Sequence, residues 1–332
     1  MWARTMHLPA LRQLPRVEVV SVVAATEDSA RRVAADFGVP AWHTDVAAAC
    51  QDDRVDVVDI VAPPHVHAPA AMAAARHGKH VICIKPLART LAEADQMAAA
   101  ARAAGVRLFY AENVPFLPAV QQAHALVKAG QVGSVYRVKA CEGIGQPHAS
   151  WLFDIERSGG GALIDMAVHS IAFCRFLADA PVRTVYAETG TFVWSGRTAA
   201  EDTAVLTLRF ANDVIGQCED SWSLTGAMDS RFEIYGTAGR ILIDNLHRQP
   251  LQVVNADGWS YPLPFPGLLA DGHLDMLAHF LDCIRTGQPS RSEPEIGLHA
   301  LAVIEGAIRS AATGERVPVG AVHDMARSAD AG

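Results

Sequence analysis

The stretch "VDVVDIVAPPHVHAPAAMAAARHGKHVICIKPLARTLAEADQMAAAARAAGVRLFYAEN", Val55 to Asn113, decides the fold. Three short runs rich in β-branched and aromatic residues, "VDVVDIVA", "HVICI" and "VRLFYAEN", alternate with two Ala-rich stretches of helical length. The first helix, "HAPAAMAAARHG", ends at Gly78, and the second opens with the capping box Thr90-Leu-Ala-Glu93. Strands this apolar must be covered on both faces, and alternation with helices is how a parallel, doubly wound sheet achieves it. Upstream, "VEVVSVVAA" adds a strand and "SARRVAADFG" a helix closed by Gly38. Residues 1–115 therefore read as an α/β, Rossmann-like domain.

Beyond the helix "PAVQQAHALVKAG" the apolar period changes to two. The runs "GSVYRVKACEG", "VRTVYAETGTFVW", "DTAVLTLRFAN", "VIGQCEDSWSL", "SRFEIYGTAGRILID" and "LQVVNA" are consecutive strands, with hairpin breaks at Asn212-Asp213 and Thr237-Ala238-Gly239. One helix follows the triple glycine 159–161, and two more, "HLDMLAHFLDCIRTG" and "GLHALAVIEGAIRSAATG", come near the end. This predicts an α+β domain over 116–320 with a large, mostly antiparallel sheet. Its last helices are expected to pack back towards the first domain, ahead of a tail at 321–332.

Composition narrows the function. Of 332 residues, half are apolar and 19% charged, which suits two packed cores rather than a disordered chain. A net charge of −8 leaves no basic stripe for nucleic acid. There is no secretory leader and no uninterrupted apolar run of membrane-spanning length, so no membrane partner is expected. The six cysteines form no C-x-x-C pair and sit mostly in apolar stretches, which fits a reducing cytoplasm and no structural zinc.

The chain begins "MWARTMHLPALRQLP", a helix starting near Thr5 with no strand before it. A doubly wound sheet starts with a strand whose glycine loop meets the dinucleotide pyrophosphate. Neither that strand nor G-x-G-x-x-G is found here. The runs "HLPALRQLPRVEVVSVV", Asp56 to Val106, "GGGALIDMAVHSIAF" and "DGHLDMLAHFLDCIRTGQPS" resemble, in order and spacing, the Gfo/Idh/MocA family of NAD(P)-dependent sugar, inositol and diol dehydrogenases. In that family a strand and glycine loop precede the first helix, so roughly a dozen residues are missing by strand and loop lengths. A start assigned at an internal methionine is the favoured explanation; true loss of the loop, and with it of normal cofactor affinity, is the other.

The resemblance assigns the site. Lys85 follows a strand at the C-terminal edge of the sheet, where doubly wound folds bind ligands, and its ammonium can hydrogen-bond a substrate hydroxyl. The family's Glu-Lys-Pro supplies a catalytic lysine there, although Ile84 stands in place of the glutamate. Asp165 and His169, four apart on one helix face, match the family's carboxylate and histidine: His169 handles the hydroxyl proton with Asp165 and Lys85 assisting. Ala172 replaces an acidic residue common one turn on. Ala24, Ala25 and Thr26 occupy the ribose-reading position without an acid, leaving NAD or NADP open. Ala62, Pro63, Pro64 and His67 lie where the family lays its cofactor, or are simply a proline stop. Lys85 also borders the cofactor.

For substrate, Glu112 and Asn113 end the last parallel strand; Asn113 can bond a sugar hydroxyl or satisfy a turn. Trp151 is a platform for a pyranose or a core residue, with His148 nearby and Glu142 and Trp222 in reserve. No metal site is expected. The reading is hydride transfer between a nicotinamide and a hydroxyl carbon of a sugar, inositol or polyol. The chain is expected to form a homo-oligomer, dimer or tetramer, through the open sheet face. Alternatives are a bound-NAD, redox-assisted glycosidase and a non-catalytic sensor or helper subunit.

Overall fold

The computed structural model describes residues 2–247, 249–262 and 271–320; the expected tail at 321–332 lies outside the described residues. The chain divides into two compact units, Met1–Gln121 with Glu156–Gly159 and Pro266–Gly297, and Gln122–Ile155 with Gly160–Phe265 and Leu298–Gly332.

In the first unit a π-turn, Ala3–His7, runs into α1, Leu8–Leu11. The helix starts two residues before the expected Thr5, and Leu8 donates its N–H to the Ala3 carbonyl. Pro9 has no N–H for Thr5, and a widened turn avoids that missing bond. Then come β1 (Ser21–Val23), α2 (Glu27–Phe37), β2 (Ala41–His43), α3 (Val46–Ala49), β3 (Val57–Ile60), α4 (His67–Arg76), β4 (His80–Ile84), α5 (Leu91–Ala103) and β5 (Leu108–Ala111). Caps set the helix starts: Thr26 accepts from Ser29 N–H, Asp45 from Ala48 and Thr90 from Glu93. The sequence reading missed β2 and α3, each only three or four residues long and flanked by no strong break.

All pairings in this unit are parallel, but they make two sheets, β1-β2 and β3-β4-β5, and no ladder joins them among the described residues. A doubly wound sheet has the order 3-2-1-4-5-6. The two sheets are the runs on either side of its first strand, so the single sheet expected from the sequence is observed in two parts. Behind them Ile82, Phe109, Ala111 and Phe116 bury against Met276, Leu277 and Phe280 of the helix His273–Thr286. Arg107 locks that helix end, donating to the carbonyls of Cys283 and Gln288 and pairing with Glu293 at 2.6 Å.

After α6 (Pro118–Lys128), the second unit is built on β6 (Val135–Ile144). There follow α7 (Ile155–Ser158, of which only Ile155 belongs to this unit), α8 (Val168–Ala178), β7 (Val182–Gly190), β8 (Thr203–Phe210), β9 (Ile215–Ser221), β10 (Met228–Gly236), β11 (Gly239–Asp244), β12 (Leu251–Asn255) and β13 (Gly258–Ser260). With α9, the helix His273–Thr286, already placed, the chain ends in α10 (Pro294–Thr313) and β14 (Val317–Pro318). Nine strands form one sheet in the order β13-β12-β11-β10-β6-β9-β8-β7-β14, antiparallel except for the parallel pair β6-β9. Alternate residues of β8 and β9 are buried, as the period of two predicts, and α8 packs on that inner face with Phe173 stacked on Phe232 at 4.3 Å. The segment Ile155–Ala178 has the length and hydropathy of a membrane span, which the sequence reading did not anticipate; 83% of it is buried within the protein.

Candidate functional site

The first unit gathers one group of the expected residues at the C-terminal ends of β3, β4 and β5. Lys85 is half-buried, its own N–H donating to the Ala111 carbonyl, and the Lys85–Pro86 peptide is cis. The main chain around it is held by His67. This ring is fully buried, with Nδ1 2.9 Å from the Pro86 carbonyl oxygen and Nε2 2.8 Å from that of Ala62. Burial outweighs these two acceptors and holds its pKa below the usual histidine value. His67 was expected to contact the cofactor; instead it ties the exit of β3 to the turn after Lys85, because it sits at the inward-facing start of α4. Ala62 and Pro63 form the partly exposed rim above it.

Glu112 departs from expectation as well: it is fully buried and its Oε1 accepts the Val114 N–H at 3.0 Å, shaping the turn after β5. Asn113 donates from Nδ2 to the Asp271 carbonyl at 2.7 Å, a contact 158 residues away along the chain. Ala24 bonds through its N–H to His43, and Thr26 beyond it serves as the cap of α2. Ile84 is buried, an apolar strand residue where the family has an acid.

The second unit positions the other group. Asp165 lies inside a π-turn, Leu163–Ala167, that leads directly into α8 with His169 in its first turn. Residues four apart in an α-helix are rotated by about 40°; a π-turn winds more slowly, so Asp165 and His169 come closer to eclipsed on one face. Asp165 is 5% exposed and its Oδ2 accepts the indole N–H of Trp222 at 2.9 Å; His169 is half-buried between the fully buried Val168 and Ser170. Trp222, held in reserve as a substrate contact, is itself completely buried. Trp151 is half-buried against Leu152, Ala162, Met166 and Trp222, and His148 meets it edge-on at 6.0 Å. Ala172 is core.

The glycines before the π-turn have distinct reasons. Gly159 has φ 88°, a left-handed conformation. At Gly161 a Cβ would lie 2.0 Å from the Glu201 carbonyl oxygen. That closeness lets Glu201 serve the helix start twice, its carbonyl accepting Ala162 N–H and its carboxylate accepting Leu163 N–H, each at 2.9 Å.

Three carboxyl groups around this start are shifted in different directions. Burial pushes Glu201 up against the pull of its N–H donors, and pushes Asp220 well up despite a 2.7 Å hydrogen bond from Ser170. Burial also works against Asp202, yet the N–H groups of Trp194 and Val193 and the Thr203 hydroxyl hold it below the carboxylate range. Sequence reasoning missed Glu201, Asp220, Ser170 and the role of Trp222, since their partners lie 38 to 57 residues away. The period-two burial of β9 was the one available signal for Asp220 and Trp222.

A dinucleotide meets a partial fit. Of the residues expected to face it, Ala24 after β1, Ala62 and Pro63 after β3, and Lys85 after β4 are each partly exposed. No glycine precedes Gly38, so residues 2–37 offer no bare-backbone cradle for a pyrophosphate. Among the described residues no group of three or more metal-ligating side chains is assembled.

Residues 2–112 match the oxidoreductase family with an NAD-binding Rossmann fold, and residues 120–242 the GFO/IDH/MocA C-terminal domain. The chain is 31% identical over 310 residues to 1,5-anhydro-D-fructose reductase of Ensifer adhaerens, covering 91% of each, and 27% identical over 304 residues to myo-inositol 2-dehydrogenase of Thermotoga maritima, covering 90% of each. Levoglucosan dehydrogenase in complex with NADH and L-sorbose superposes with a TM-score of 0.88 at 27% identity over 96% of both chains. The parallel sheets, the large antiparallel sheet and these matches agree: the chain belongs to the Gfo/Idh/MocA family of NAD(P)-dependent oxidoreductases.

Proposed function

We propose that the protein moves a hydride between a nicotinamide and a hydroxyl carbon of a sugar, inositol or related polyol, with His169, Asp165 and Lys85 handling the proton. The observation that carries this reading is the π-turn, which sets Asp165 and His169 on one face and fixes Asp165 with an indole N–H. A nicotinamide supplies the hydride acceptor or donor when bound. His169 takes the hydroxyl proton in oxidation and returns it in reduction, the two-way role for which an imidazole side chain is suited. Asp165, held in place, orients the imidazole. Lys85 presents an ammonium to the reacting oxygen and favours its deprotonated form. In this reading 1–115 serve the dinucleotide, NAD or NADP, and 116–320 the substrate. Trp151 and His148 contact the sugar, and Ala24, Ala62 and Pro63 line the cofactor side.

His169→Ala, Asp165→Asn and Lys85→Met are each expected to lower kcat by about 10²–10⁴, the worth of positioned proton transfer. Nicotinamide absorbance with a panel of polyols is the assay, and survival of turnover with an unaltered pH profile in His169→Ala would remove the reading.

One observation favours a second reading, a sensor or helper subunit with weak dinucleotide affinity: Ile84, beside Lys85, is a buried apolar residue where the resemblance implies a glutamate. Calorimetric titration with NAD(H) and NADP(H), on this chain and on one extended upstream, separates the two. Binding by the extended form supports the dehydrogenase; binding by neither supports the sensor. We also place the protein in the cytoplasm, in keeping with six free, buried cysteines, and assign homo-oligomer assembly to the open face of the nine-stranded sheet.

A further inference from the structure

We propose that Trp222 is a positioning residue for the proton-handling pair, through a ladder of side-chain contacts by which β9 sets the rotation and register of the catalytic helix. The inference rests on the assignment of Asp165 and His169 above. Two buried residues of β9 and Trp222, the residue just past its end, each meet one residue of the helix: Trp222 donates to Asp165 at 2.9 Å, Asp220 accepts from Ser170 at 2.7 Å, and Cys218 lies 3.9 Å from Cys174 through their sulfurs. All of these side chains are at most 5% exposed.

The spacing is matched. Two strand residues advance about 6.6–6.8 Å and four α-helical residues about 6.0 Å. From Ser170 to Cys174 the helix takes four residues; from Asp165 to Ser170 it takes five. The π-turn supplies that extra residue, so each strand step finds a helix partner. With these contacts made, the rotation of the helix that carries His169 is set.

Trp222 is suited to hold a rotamer because it is itself held. Its N–H donates to the Asp202 carbonyl at 2.8 Å, its carbonyl accepts the Trp194 indole N–H at 3.2 Å, and Phe153 meets its ring edge-on at 6.4 Å. A fixed N–H aimed at a buried carboxylate both orients it and favours its charged form. The other carboxyl groups on the inward side of the strands packed on the π-turn are Glu142 of β6, Asp202 before β8 and Asp220 of β9; Glu201 lies at its start, and His169 follows on α8.

The test is Trp222→Phe, which keeps a buried ring and removes only the donor and the smaller indole ring. The expected result is kcat lower by about tenfold, KM within about twofold, and the acid limb of kcat/KM moved to higher pH by about one unit, the size of one charge-assisted hydrogen bond. An unshifted pH profile, or loss confined to thermal stability, overturns the inference. Should Trp222→Phe fail to fold, benzothienylalanine at this position keeps the bicyclic shape without the N–H and is judged by the same profile. Asp165→Asn separates the two layers. If it retains full kcat and the wild-type profile, the assignment of Asp165 fails; if it is impaired while both Trp222 replacements keep the wild-type profile, the positioning role fails.

Discussion

Gly161→Ala tests how the catalytic helix is started. The added Cβ would stand 2.0 Å from the Glu201 carbonyl oxygen and 2.8 Å from that residue's carboxyl group. The first obstacle is backbone, so relief requires the glycine loop to move away from Glu201. Moving it breaks the Ala162 and Leu163 N–H bonds to that residue. Each is worth about 0.5–1.5 kcal/mol, and residual crowding adds about 1–3 kcal/mol. A loss of about 3 kcal/mol is expected, with kcat reduced further because Asp165 N–H is bonded to the Gly161 carbonyl and shifts with it. Gly160→Ala is the internal control: its nearest contact is the flexible Ile164 side chain at 3.2 Å, and it should cost under about 1 kcal/mol. Urea unfolding followed by fluorescence, with kcat measured in parallel, gives both numbers. Equal midpoints for Gly161→Ala, Gly160→Ala and the parent protein would refute the steric account.

Acid sensitivity has an identifiable source in His299, whose pKa is lowered to about 3, first by burial and then by Arg175, while its Nε2 accepts the Val182 N–H at 2.9 Å. The unfolded chain binds this proton below pH 6.5 and the folded chain does not, so stability is complete above 6.5 and falls by up to about 1.4 kcal/mol per pH unit as pH drops towards 3. His299→Gln should flatten that slope in unfolding curves taken between pH 7 and 5. His67→Phe removes the one N–H that the neutral ring can donate to the Ala62 or the Pro86 carbonyl at a fully buried position, and is expected to cost about 1–3 kcal/mol and to lower kcat through Lys85; an unchanged midpoint by thermal unfolding contradicts this. Arg107→Ala removes two carbonyl contacts and a partly exposed pairing with Glu293, so a loss of about 1–2 kcal/mol is expected, read as faster amide exchange in α9.

By itself the sequence determined the element types and the family. Apolar runs such as "HVICI", helices ending at Gly38 and Gly78, and the Thr90 capping box are local devices, set by backbone sterics and hydrogen bonds within a few residues. Period-two burial in β8 and β9 was equally legible, because a strand's two faces are written in alternation. Lys85, Asp165 and His169 were read as site residues from the family resemblance. What only the tertiary structure decided are partnerships across long separations. His67 and Glu112 look like binding residues in a loop but are buried and bonded to the main chain, a matter of which way α4 and the β5 turn face. The Asp165 rotamer depends on an indole 57 residues away, and the need for Gly161 on a carbonyl 40 residues on. Strand propensity is local, but a ladder exists only when a neighbour's backbone lies alongside, and that is settled by the packed chain.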